Sequence, residues 1–147
     1  MLFSFVYQNK HSMKKQLLAK LEHSKNYTLA VANGMPSAHY DFKPTEEIWS
    51  FRELMHHIGY GIHWFKATLI EKQEPAWEPP AVTADKEATI AWLEAAFAAL
   101  ESTLDKMASD GETIVGFFGT LDHITHHRGQ ATTYLRCKDI TPPEYIF

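Results

Sequence analysis

Cysteine is almost missing from this chain. Cys137 stands alone, so no internal disulfide can form and nothing points to an oxidising compartment. The cytoplasm is the expected location. Long apolar runs are also missing: none approaches the roughly 18 residues that a membrane span needs, so no membrane association is expected. The opening Met1-Leu2-Phe3-Ser4-Phe5-Val6-Tyr7 is hydrophobic but has neither a basic leader nor a small-residue cleavage site. It reads as a mature segment packed on the domain. Positive charge is sparse, with no cluster beyond Lys14-Lys15 and a net charge of −4. A protein that neutralises many phosphates needs a basic face, which argues against nucleic acid as a partner. Sustained apolar/polar alternation is absent, removing the case for a sheet. Neither paired carboxylates nor a Ser-His-Asp order is present, so no metal-free hydrolytic mechanism has residues behind it.

What is present is helical periodicity. The 147 residues, 45 % of them apolar, suit one domain with its own core, spanning 1–147. A first helix is predicted over Ser12 to Asn33, with Leu17, Leu21, Ser24, Thr28 and Val31 on one face, Gly34 as a C′ stop and Pro36 beyond it. A second starts at Ser50, where Ser50-Phe51-Arg52-Glu53 has the pattern of a capping box, and its stripe is Leu54, Ile58, Gly61, Phe65 and Leu69. A third, Asp85 to Ser109, carries Ile90, Leu93, Phe97, Leu100, Leu104 and Met107 at the spacing of helices packed at shallow angles. The fourth runs from Thr113 to Cys137 with two faces. Phe117, Leu121, Ile124, Ala131 and Leu135 form one; Thr120, His123, His127, Gln130 and Tyr134 form another, displaced by roughly 100°. Residues 109–112 can only join antiparallel neighbours. The linker 72–84 extends to about 43 Å, enough to run back along a helix of about 30 Å. The expected fold is all-α: a four-helix bundle with at least one long crossover.

The chain holds 9 histidines. His123 and His127, four residues apart, project from one helix face one turn apart. Two imidazoles so placed can hold a divalent cation if a third ligand comes from another helix. In Glu53-Leu54-Met55-His56-His57, His57 lies on the flank of the apolar stripe, while His56 and His63 point nearly opposite and are expected at the surface. His126 is turned about 60° from His123 and 100° from His127, which suits a pocket wall better than a ligand. Such pairs also arise by chance on helices, and a core histidine commonly only hydrogen-bonds. Convergence of three rings is what a metal site requires.

His123 through Gln130, then Tyr134-Leu135-Arg136 and Pro142-Pro143-Glu144-Tyr145, resembles the H-x-x-x-H-R-G-Q … Y-L-R … P-P-x-Y signature of the DinB/YfiT-like family. Trp49 to His57 resembles that family's first-ligand helix, with His57 at the ligand position. The likeness runs from the Pro44 region to the C-terminus. It implies an up-down-down-up four-helix bundle and a divalent ion, Zn²⁺ or Ni²⁺, held by His57, His123 and His127. It further implies a homodimer, and a low-molecular-weight thiol as cosubstrate, because characterised relatives include thiol-dependent S-transferases and a mycothiol-dependent isomerase. One departure is Asp139, where the family usually has glycine; Asp tolerates a left-handed helix end better than most residues.

The expected function is therefore that of a metal-dependent enzyme acting on a small molecule, a thiol S-transferase or a hydrolase. The alternative is a non-catalytic metal-binding stress-response domain. No residue is assigned as catalytic. Gln130 and Tyr134 share the ligand face and, with His126, are candidates to line the pocket or orient a ligand; as satisfied core polars the first two would be equally unremarkable. Arg128 reads as a buried structural arginine paired with a carboxylate, Gly129 as a close helix–helix approach, and Trp49, Trp64 and Trp77 as pocket walls or core anchors. Cys137, about 15 Å along the helix from His127, is too far to share its ion. Because ligating imidazole must be neutral, metal affinity is expected to fall below about pH 6.5.

Overall fold

The computed structural model describes residues 2–106 and 110–145, with side chains from Met13 onward. Its helices are α1 (Leu2–Gly34), α2 (Phe51–Phe65), α3 (Lys86–Lys106) and α4 (Gly111–Cys137), and among the described residues there is no strand. A 3₁₀ turn occupies Ser37–His39, and α2 continues into a π-helical turn over Lys66–Ile70. No helix among the described residues is long and apolar enough to cross a membrane.

Contacts at the helix ends give the topology. In the first half of α1, Lys14 donates to the carbonyl of Asp105 at the end of α3, while Lys86 at the start of α3 donates to Asn33 and Met35 at the end of α1. These two helices are antiparallel. Arg52, early in α2, donates to Thr83 and Ala84 just before α3, and Thr103 late in α3 donates to Glu71 just beyond α2, so α2 and α3 run parallel. Residues 71–85 form the long crossover that joins them. Arg128 of α4 donates to Ser24 of α1, whereas Leu69 after α2 lies against Gly116 near the start of α4. The order is up-down-down-up. α1 and α2 each pack chiefly on α3 and α4. α3 and α4 follow one another in the chain and run antiparallel, but they lie on a diagonal of the bundle instead of packing on each other as the expected join of neighbours required.

The predicted stripes meet in the middle. Leu54, Ile58, Leu93, Phe97, Leu100, Leu104, Phe117, Leu121, Ile124, Ala131 and Leu135 are buried in one core, where each large side chain contributes about 1.5–3 kcal/mol relative to exposure. Met107 lies outside the described residues, as do the side chains of the opening apolar segment. The backbone there is nevertheless helical: α1 starts at Leu2, ten residues before the periodicity signalled it. The capping box forms as expected, with the Glu53 amide donating to Ser50 Oγ at 3.2 Å and the Ser50 amide donating to Glu53 Oε2 at 2.6 Å. Asp110, unnoticed in the sequence, plays the same N-cap role for α4 through the Thr113 amide.

Two helix ends differ from each other in an informative way. Gly34 does not adopt a positive φ; α1 includes it, and the Lys86 ammonium takes up the carbonyls of Asn33 and Met35 instead. Asp139 does adopt one, with φ of 58°. Its amide donates to Arg136 and the amide of Ile140 to Leu135, both at 3.0 Å, which closes α4 in a Schellman motif. The family glycine is thus replaced without loss of the cap.

Candidate metal centre

His57 projects from the second helical turn of α2 and meets His123 and His127 of antiparallel α4 across the bundle. Their candidate ligand atoms all lie within 4.8 Å of one another. His57 Nε2 is 3.1 Å from His127 Nε2 and 3.1 Å from His123 Nε2. Glycine makes this convergence possible. A Cβ on Gly61 would overlap the His123 ring, and one on Gly116 would stand 2.6 Å from the Leu69 carbonyl oxygen, so both are needed for α2 and its π turn to approach α4. Gly129, the expected close-approach residue, is exposed and faces nothing within 4 Å. The periodicity places it on the outer side of α4.

Each ring is held differently. His127 Nδ1–H donates to Gln130 Oε1 at 2.8 Å, which leaves its Nε2 with a lone pair facing the other two rings. The Gln130 amide nitrogen reaches His126 Nε2 at 3.4 Å, so His126 supports the orienting residue from the exposed face. His123 has no hydrogen bond at its buried Nδ1 and is fixed by packing on Gly61 and Phe65. His57 lies under Trp49, with ring centroids 4.5 Å apart, and beside Trp77 of the crossover at 5.8 Å. Trp64 packs on Trp77 and Phe65. Trp49 is itself pinned by Tyr134, whose hydroxyl donates to its carbonyl at 2.8 Å. A cavity of about 500 Å³ opens beside this group, walled by Trp49, Ile48, Leu54, His127, Gln130 and Tyr134.

The donor set fits a divalent ion. With the His127 proton on Nδ1, the His57 Nε2 can donate to only one of its two neighbours, so the three nitrogens cannot satisfy one another. Two nitrogens each about 2.0 Å from a tetrahedral ion stand about 3.3 Å apart, close to the spacing seen here. Burial is the main cause that lowers all three pKa values, with neighbouring imidazoles adding to it; His57 falls to about 4 and His123 to about 3, and His127 is also lowered. His57 and His123 are therefore neutral well below the ordinary value of 6.5. This revises the pH expectation: in the folded protein proton competition at His57 and His123 is pushed down to about pH 4 and 3. Metal-free stability follows the opposite reference. The unfolded chain takes up protons from about pH 6.5 while the folded one does not, so stability declines as pH falls from about 6.5 towards 4. Thermal melts of chelator-treated protein between pH 7.5 and 4 should show that decline, while metal content in equilibrium dialysis should hold at pH 6.

Several expected placements change. His56 is not at the surface: it is 4 % exposed and stacked on Trp92 with centroids 5.2 Å apart, and the polar group that faces its ring is the Pro80 backbone, without a well-formed hydrogen bond. His63 is half-buried against the same indole. Trp92 carries no helical-stripe signal because it fills the space above Gly59, between the α2 and α3 stripes. Arg128 is buried, but its partners are neutral. It donates to Ser24 and Thr28 and lies over the Tyr27 ring at 4.8 Å, with no carboxylate among the described residues. Cys137 is exposed at the end of α4.

The model of the DinB superfamily matches residues 20–131, which include all three histidines. The chain belongs to the DinB superfamily. Solved DinB-like structures agree in fold. One from Bacillus cereus superposes with a TM-score of 0.74 at 15 % identity, covering 90 % of this chain and 97 % of its own. Another, from Bacillus subtilis, gives 0.70 at 19 % identity, covering 88 % and 96 %. No curated protein gives a significant match to the sequence.

Proposed function

We propose that His57, His123 and His127 of this DinB-superfamily protein hold one divalent cation, Zn²⁺ or Ni²⁺, and that the protein is a metal-dependent enzyme of the thiol S-transferase type. The observation that carries the reading is the meeting of three Nε2 atoms that cannot satisfy one another. Three protein ligands are also the number that leaves positions for exogenous molecules, as in catalytic sites. When bound, the ion supplies a Lewis acid that lowers the pKa of a coordinating thiol from its usual value of about 8.5.

The chain's own residues supply position and enclosure. Gln130 holds the His127 tautomer that aims Nε2 inward, and Gly61 gives the His123 ring its place. Trp49 packs on the His57 and His127 rings and walls the cavity beside them. The thiol has to arrive from solution, because Cys137 is exposed at the far end of α4. In the reaction its sulfur forms a bond to the acceptor's electrophilic carbon as the leaving group departs with its electron pair, and the thiol proton passes to solvent.

Metal-replete protein should turn over a chromogenic electrophile with at least one of bacillithiol, mycothiol and glutathione, and the rate should vanish in His123→Ala. A metal-replete sample that shows no rate above background with any of the three would support a non-catalytic metal-binding domain instead.

A further inference from the structure

The polar side chains that wall the cavity beside His127 are already engaged. Gln130 is tied at both ends, to His127 and His126, the Tyr134 hydroxyl donates to the Trp49 carbonyl, and the Thr133 hydroxyl donates to the Gly129 carbonyl. Glu47 stands on the exposed linker before α2, where water solvates it, and does not decide what enters. What remains is hydrocarbon. Leu54, 2 % exposed, lies deepest, while Ile48 and Trp49 stand at the lip 40 % and 47 % exposed. Large apolar side chains left in water around a concave apolar floor mark a binding groove. Of the three histidines, His127 lines this cavity, whereas His57 packs against Trp49 and Trp77 and His123 against Phe65.

We infer that this cavity takes the apolar part of the acceptor: an uncharged alkyl or aryl group lying against Ile48, Trp49 and Leu54, beside His127. The two reactants differ in what they offer such walls. Glutathione is a charged peptide, and mycothiol and bacillithiol are hydroxyl-rich sugar conjugates, so here they would lose water without finding free side-chain partners. A hydrocarbon group has no such loss and gains about fourfold in affinity for each methylene buried. A volume of about 500 Å³ holds a ring or a chain of several carbons. The group is assigned to the acceptor through the thiol transfer proposed above, whereas the apolar preference stands on the walls alone.

The test uses 1-butanol, 1-hexanol and 1-octanol, titrated into the full-length, chelator-treated protein and followed by NMR at the Trp49 indole. Affinity should rise about tenfold at each step of two methylenes. Thr133→Asp, which puts a charge on the wall, should weaken hexanol binding about tenfold. Val115→Asp, on an exposed part of α4 outside this cavity, should leave it unchanged. No response to any alcohol, a flat dependence on chain length, or equal effects of the two variants would each overturn the inference. So would a Trp49 signal that shifts with protein concentration alone, because a second copy would then cover the lip. Displacement of hexanol by glutathione, mycothiol or bacillithiol would give the cavity to the thiol and overturn it as well. Metal uptake and turnover are read separately. The chain-length dependence in protein that takes up no metal would sink the metal reading alone, and thiol turnover with a flat series would sink this one alone.

Discussion

His127→Ala is expected to abolish stoichiometric metal, while His63→Ala leaves it intact. The two rings differ in what they face: His127 Nε2 lies 3.1 Å from His57 Nε2, and His63 lies against Trp92 on the α3 side of α2. Gln130→Ala should fall between them. It removes the acceptor that fixes the His127 tautomer, a type of loss that lowers metal affinity about 10–100-fold, and removing a ligand outright should exceed that range. Elemental analysis of protein purified without an affinity tag is the direct readout, since a histidine tag carries its own nickel. Thermal stability gives a second, independent one. Metal in thousandfold excess over its Kd should stabilise the native protein by about 4 kcal/mol, and this increment should vanish in His127→Ala. Equal metal loss from His127→Ala and His63→Ala would show that the centre is wrongly placed.

Gly61→Ala should be nearly as damaging, although Gly61 is not itself a ligand. A single methyl there would occupy the space of the His123 ring. The ring cannot retreat into its helix, so either α2 shifts or His123 turns away from His57. Overpacking of this kind costs about 1–3 kcal/mol in stability. Metal affinity should fall by at least the 10–100-fold typical of a misoriented ligand. Gly129→Ala is the matched control: it sits on the same α4 helix, two residues beyond His127, with open space around it. Replacing an exposed helical glycine by alanine should stabilise by up to about 1 kcal/mol and leave metal binding unchanged. Retention of full affinity in Gly61→Ala, measured by competition with a chromogenic chelator, would show that His123 does not need its observed position.

These two glycines mark the limit of what could be read beforehand. Gly61 fell on the predicted inner stripe of its helix, but spacing alone did not distinguish a glycine that admits a ring from one that is merely buried. Gly129 follows the His-Arg motif, where the pattern suggests a close approach; among the described residues no neighbour stands on that side of α4. His56 shows the same difficulty. Its angular position pointed away from the apolar stripe and so towards solvent, yet Trp92 of α3 covers it. A second helix lies against that flank of α2, and helical periodicity records only the most apolar direction. Arg128 was correctly placed in the interior, but its partners come from α1 more than 90 residues earlier and are hydroxyls, carbonyl and aromatic ring in place of a carboxylate.

Local chemistry by itself determined a great deal here. Hydrogen bonds between near neighbours close the Ser50–Glu53 box and the Asp139 cap, and the 3.6-residue repeat alone sets which apolar side chains of each helix share a face. The same repeat put His123 and His127 on one face of α4. What the repeat could not contain is the distance between helices. The meeting of His57 with that pair, the orphaned lone pairs it creates and the cover of Trp49 and Trp77 all depend on how closely α2 and the linkers on either side of it approach α4. That approach is set by Gly61 and Gly116 against groups far away in the chain, and only packing in three dimensions brings those groups together.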